Sequence, residues 1–132
     1  QLEVGSVATP FEHRSYGEEE ILCKRYFERL CQGNQGSMVT VVSYTTTGSY
    51  GDFRYLAKRA DPTITANGSG SDYRVRQNDA DIILTSLNFS TAKADGFARV
   101  NCNHTGGNFT AGYGGWLAHE ANTTFIDVDA EL

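Results

Sequence analysis

The chain has 132 residues, a net charge of -5, and 14 glycines against 2 prolines. That length makes one ordinary domain with a core of its own, and the negative charge argues against a nucleic-acid partner, which needs a cationic face. No apolar run reaches the roughly 18 residues of a membrane-spanning helix, and no signal-peptide pattern opens the chain.

Abundant Gly, Thr, Ser and Asn are the composition of a turn-rich β protein. Gln stands at position 1 in place of Met, so a piece of a longer chain is expected. Residues 1–7 have strand character, which Thr9-Pro10 breaks, because Pro lacks a donor and biases its predecessor toward extended backbone. Residues 1–14 are therefore read as the end of a preceding β module and a hinge.

Residues 15–33 are expected to form an amphipathic helix. Ser15 has capping-box spacing to Glu18, and Glu18, Glu19 and Glu20 place negative charge in the first turn, where the helix dipole favours it. Lys24, Arg25 and Arg29 follow, so Glu20–Lys24 and Lys24–Glu28 are i,i+4 pairs. Gln32-Gly33-Asn34 is the stop signal. Cys23, Tyr26, Phe27 and Leu30 lie along one side of this helix, which at about 14 residues is marginal alone. The stripe must dock, either on the chain's own sheet or on copies of itself around an axis.

Residues 34–132 read as a β domain. Residues 38–46 are β-branched and apolar on both faces, as in a central strand. Further strands are expected over 53–57, 63–66, 73–76, 82–89 and 97–102, with Ala98, Val100 and Cys102 on one side of the last. Ile126, Val128, Ala130 and Leu132 alternate with Asp127, Asp129 and Glu131. Residues 47–51 and 67–71 read as loops. Roughly seven strands at this spacing make the fold class mainly β, a short N-terminal helix followed by an antiparallel sandwich or jelly roll.

Three cysteines cannot all pair within one chain. On one helix Cys23 and Cys31 would lie about 12 Å apart along the axis, beyond the roughly 4.4–6.8 Å of a disulfide, so three reduced, packed thiols are expected. With no CxxC and no clustered His, no metal site is expected. The Asn-x-Ser/Thr sequons at Asn67, Asn88, Asn103, Asn108 and Asn122 follow from a composition rich in Asn, Thr and Gly.

Two stretches carry a resemblance. QLEVGSVATPFEHR (residues 1–14) and YGEEEILCKRY (residues 16–26) are similar to a junction in structural proteins of tailed bacteriophages, where a β module ending in "QLEVGS-x-ATPFE-x-R" meets one opening with "YGEE-x-x-LC-x-RY". Lys58-Arg59-Ala60-Asp61-Pro62-Thr63-Ile64-Thr65 and the closing Asp129-Ala130-Glu131-Leu132 also fit that frame, while between Gly68 and Gly115 no motif of it stands. The resemblance implies the distal, C-terminal module of a tail fibre or spike in the virion, made in the bacterial cytosol. It also implies a homotrimer, with Cys23, Tyr26, Phe27 and Leu30 at the interface in a three-helix neck, and a host-surface polysaccharide as partner.

Residues 101–119 set glycines among Asn101, Asn103, Asn108, Phe109, Tyr113 and Trp116. Sugar binding needs a flat aromatic face for C–H groups, with amides and carboxylates for hydroxyls, and Asn101, Asn103, Asn108, Tyr113 and Trp116 are of the right types. The competing reading makes Phe109 and Trp116 core or subunit-contact residues. Tyr50 and Asp52, expected at a loop tip, are the second candidates, with Phe53 and Tyr55 as packing neighbours. Asp127, Asp129 and Glu131 read as a solvated strand face, with a cation held near a threefold axis as the alternative. Lys24-Arg25, Lys58-Arg59 and Arg74/Arg76 read as surface or intersubunit ion-pair partners.

No G-x-S-x-G, HExxH or phosphate-loop pattern is present, and His13, His104 and His119 have no diagnostic spacing to Ser or Asp. No catalytic residue, cofactor, metal or membrane insertion is expected. The leading expectation is a receptor-binding fibre tip; a purely structural trimerisation and capping unit is the second, and a polysaccharide-modifying tip the third.

Overall fold

The computed structural model describes residues 14–31, 36–120 and 123–131; the strand expected over 1–7 and the glycine stop at 32–34 lie outside them. One helix, α1 (Tyr16–Lys24), leads into β1 (Phe27–Leu30), β2 (Gly36–Ser43), β3 (Gly48–Arg54) and β4 (Thr63–Ala66). A single 3-10 turn, Gly70–Asp72, precedes β5 (Tyr73–Gln77) and β6 (Ala80–Ile83). The remaining strands are β7 (Ser86–Lys93), β8 (Phe97–Asn103), β9 (Gly114–His119) and β10 (Ile126–Asp129).

Among the described residues all strand pairings are antiparallel. A seven-stranded sheet runs β6-β5-β9-β2-β3-β8-β7 and a three-stranded sheet runs β1-β10-β4. Residues of both sheets share one core, including Val41, Val75, Val100 and Leu117 from the large sheet and Ile126 and Val128 from the small one. The protein is thus mainly β, layered as a sandwich is. Each of these fully buried aliphatic side chains contributes about 1.5–3 kcal/mol, against about 0–1 kcal/mol for an exposed ion pair. The core therefore sets the register, and the surface charges decorate it.

The capping box forms as its spacing predicts. The Glu18 backbone donates to Ser15 Oγ at 3.3 Å, and the Glu18 carboxylate accepts from the Ser15 backbone at 2.9 Å. Lys24 meets Glu20 at 2.7 Å. The helix, however, stops at Lys24 instead of reaching residue 33. Tertiary pairing overrides helix periodicity here: Phe27, Glu28, Arg29 and Leu30 pair with β10, and the Arg29 guanidinium grips Asp127 at 2.7 and 2.8 Å while lying 3.7 Å over the Phe125 ring.

Tyr26, Phe27 and Leu30 are consequently not helical, and the expected four-residue stripe does not exist. Leu30 packs on the chain's own core, whereas Cys23, Tyr26 and Phe27 are exposed. The premise that Cys23 and Cys31 share a helix fails for the same reason. All three thiols are free, but they are not alike: Cys102 is sealed in the core, Cys31 is half-buried and Cys23 is exposed rather than packed. Burial pushes the Cys102 thiol up to about 12.

Lys58 is the other departure from a surface reading. Its side chain is wholly buried, and its ammonium donates to the Lys24 carbonyl at 2.5 Å and to Glu28 Oε2 at 3.1 Å. The same carboxylate oxygen accepts from the Leu56 backbone at 3.0 Å. One enclosed charge pair thus joins the helix end, β1 and the segment after β3. The expected Lys24–Glu28 pair gives way to it.

The sheet also departs from the expected strands. The run expected over 82–89 is two strands, because Leu84 turns into the core between β6 and β7. Residues 47–51 are no loop, since β3 begins at Gly48. β9 carries too many glycines to announce itself. Asn78 and Asp79 both take positive φ, 50° and 61°, and close a two-residue hairpin between β5 and β6, the backbone of a type I′ turn.

Replacing Lys58 by Met strands the Glu28 carboxylate and is expected to cost about 3–5 kcal/mol in urea denaturation, while the double change Lys58→Met, Glu28→Leu recovers most of that loss. Native-state titration with a thiol reagent is expected to modify Cys23 first and Cys102 only on unfolding.

Candidate functional site

Strand alternation decides what the outer face of the large sheet presents. Val41 points inward from β2, so its neighbours Thr40 and Val42 point outward. Thr40 stands opposite Trp116 of β9, which stands opposite Arg76 of β5, which stands opposite Asp81 of β6. One row along the face, Val42 stands opposite Tyr50 of β3, Tyr50 opposite Asn101 of β8, and Asn101 opposite Asn88 of β7. Asp52 stands opposite Arg99. Trp116, Tyr50, Asp52 and Asn101, all expected to bind sugar, therefore share one face through the register of four adjacent strands, β9, β2, β3 and β8.

The indole of Trp116 is 47% exposed, so it is not the core residue of the competing reading; Phe109, at 2%, is. Tyr50 is exposed and its ring lies 5.2 Å from that of Tyr44. Neither Tyr50 nor Asp52 sits at a loop tip. Both are strand residues, held more rigidly than a loop would hold them.

Two shallow grooves share Thr40 as their common wall. One, of about 450 Å³, lies between Thr40, Val42, Tyr50 and Asp52. The other, of about 300 Å³, lies between Thr40, Arg76, Asp79, Gly114 and Trp116. Gly114 leaves the space beside the indole open, because a Cβ there would meet nothing nearer than a carbonyl oxygen at 4.0 Å. On the inner side, Gly51 and Gly115 flank Val41 in register. A Cβ on Gly51 would fall 2.3 Å from the Thr40 carbonyl oxygen, and one on Gly115 would fall 2.6 Å from that of Arg76. Both positions demand glycine by close approach, not by φ.

Charge on the face is divided. Arg76 reaches Asp79 at 3.2 Å and Asp81 at 3.5 Å; Arg74 reaches Asp81 at 3.5 Å and also pairs with Glu120. These are intrachain surface pairs, so Arg74 and Arg76 serve their own chain. Toward β7, beside the exposed Arg99, the amides are hydrogen-bonded: Asn101 donates to Ser90 at 2.9 Å and Asn103 to Ser86 at 3.2 Å. Asn103 shares the face but stands beyond the grooves. Asn108 lies in the segment between β8 and β9, bonded to the His104 ring at 3.1 Å, and lines neither groove. Tyr113, exposed just before β9, is anchored through its carbonyl, which accepts from Ser43 and Gln77.

Thr40 and Arg99 were not singled out from sequence, and Arg76 was read there only as an ion-pair partner. Arg99 was legible, because the alternation that turns Ala98 and Val100 inward turns Arg99 and Asn101 outward. Thr40 was hidden by the apolar character of its strand.

Asp127 is taken by Arg29, and Asp129 accepts from the Glu131 backbone at 2.8 Å. Among the described residues no three His, Cys, Asp or Glu side chains stand together as metal ligands, and no helix is long and apolar enough to cross a membrane. Compared with known proteins, the chain matches no protein family, no curated protein and no solved structure.

The single Trp makes the face easy to probe: emission is expected at the wavelength of a solvated indole, with iodide quenching it in the native state. Gly51→Ala is expected to lower stability by about 1–3 kcal/mol, since the new methyl meets backbone and not a movable side chain.

Proposed function

We propose that this chain is a non-enzymatic glycan-binding module, the distal part of a bacteriophage fibre or spike that attaches to a host-surface polysaccharide. The observation that carries the binding reading is the half-exposed indole of Trp116 on a rigid sheet face, beside an open groove and within a strand or two of Tyr50, Asp52 and Thr40. An indole costs free energy in water unless something covers it. A sugar ring covers it with C–H groups and offers its hydroxyls to the neighbouring carboxylate, amide and hydroxyl groups. The phage assignment rests on the resemblance of residues 1–14 and 16–26, and virion location and a trimeric state follow from that resemblance.

A second reading, a trimerisation and capping unit, has its own support. α1 buries none of its residues, and Tyr16 and Ile21 on it are exposed, as are Tyr26 and Phe27 just after it. Apolar surface gathered at one end of a chain suits contact with copies of itself.

Light scattering is expected to give a trimer mass, and the protein is expected to be retained on immobilised bacterial envelope polysaccharide. Trp116→Ala is expected to weaken that retention about tenfold or more, the ~1.4 kcal/mol scale of a single aromatic contact. Trimers that bind no bacterial surface favour the capping unit; a monomer that binds none defeats both readings.

A further inference from the structure

We propose that Tyr50, Asp52 and Arg99 form a second sugar subsite across β2 from Trp116, so that the face takes a stretch of neutral polysaccharide several rings long rather than one terminal sugar. This rests on the glycan-binding reading above and names the class of glycan.

The first observation is an opposite pair that does not pair. Asp52 and Arg99 stand directly opposite on neighbouring strands, on the same face. Side chains so placed have Cβ atoms about 5 Å apart, near enough to join. Yet every ion pair on this face involves other residues: Arg74 and Arg76 hold Asp79, Asp81 and Glu120. Among the described residues, neither Asp52 nor Arg99 has a carboxylate, guanidinium or hydrogen-bond partner. The Arg99 guanidinium lies 5.3 Å from the centre of the Tyr50 ring, which steadies both groups.

A carboxylate that only accepts and a guanidinium that only donates, set opposite each other beside an aromatic ring, are complementary to a group that does both. Neighbouring hydroxyls of a pyranose do so, one donating to Asp52 and the next accepting from Arg99. An acidic sugar would meet Asp52 with like charge, and an amino sugar carrying a free ammonium would meet Arg99 the same way. The balance selects a neutral ring.

The second observation is spacing. Trp116 and Tyr50 stand two strands apart and two residues offset along β2, roughly 12 Å between their backbone roots at ~4.8 Å per strand and ~3.4 Å per residue. No single pyranose reaches both. The two grooves meet at Thr40, a small side chain that lines both. A linear chain crossing β2 fills both.

The test uses the purified chain and bacterial surface polysaccharides cleaved and fractionated by length and charge, read by Trp emission and by array retention. Neutral fragments of three or more rings are expected to bind at least about tenfold tighter than single sugars. Asp52→Asn and Arg99→Gln, both on the exposed face, are each expected to lose about tenfold or more, with circular dichroism unchanged. Equal binding of monosaccharide and trisaccharide, or preference for acidic fractions, overturns the proposal. So does wild-type affinity in both Asp52→Asn and Arg99→Gln; if Trp116→Ala still fails to bind, the glycan-binding reading survives. Binding to no fraction overturns both together.

Discussion

The large sheet turns on one crowded point, where Val41 of β2 enters the core between two glycines. Gly51 lets β3 approach the β2 backbone, and Gly115 lets β9 approach the β5 backbone, until no methyl group fits between either pair. Val41, Val75, Val100 and Leu117 then close over that point against Ile126 and Val128 of the small sheet. Because side chains alternate along a strand, every inward commitment is also an outward one. Seating Val41, Gly51 and Gly115 on the core side puts Thr40, Val42, Tyr50, Asp52, Gly114 and Trp116 on the other. A shift of one residue would bury the carboxylate and expose the valine, at a cost of several kcal/mol.

The small sheet depends on a different interaction. β10 lies in the middle of three short strands, and β1 reaches it only because the helix ends early. Three bonds at Lys58 and Glu28 hold that end: ammonium to the Lys24 carbonyl, ammonium to carboxylate, and carboxylate to the Leu56 amide. A buried pair of this kind is weak evidence for net stability, since desolvation offsets most of the attraction. Its effect is positional. An unpaired charge at either residue is so costly that the end of the helix, the start of β1 and the segment after β3 must come together as observed.

The proposed binding surface is made of strands, and such a surface differs from one made of loops. Loop residues lose conformational freedom when a ligand orders them, and that loss subtracts from affinity. Tyr50, Asp52 and Trp116 are already held by ladder hydrogen bonds on both sides. The segment between β8 and β9, where Asn108 lies, is tethered at its ends by Phe109 to Thr46 and by Gly112 to Ser43. It frames the face without forming it.

Much of the β architecture was legible in the amino-acid order, because period-two alternation is a local property. Ala98, Val100, Cys102, Ile126, Val128 and Ala130 are buried as their spacing requires, and the Ser15–Glu18 cap needs only three residues to specify it. Residue types likewise pointed to Trp116, Tyr50, Asp52 and Asn101 as recognition groups, without any means of knowing that they meet. Where periodicity was ambiguous, partners far along the chain decided. β10, about 100 residues away, turned Phe27–Leu30 from helix into strand, and Glu28 drew Lys58 out of solvent. That four residues expected to bind, from three separate stretches, share one face is a fact of strand register, which depends on which strands neighbour each other, and adjacency in a sheet is a property of the folded core rather than of any window of sequence.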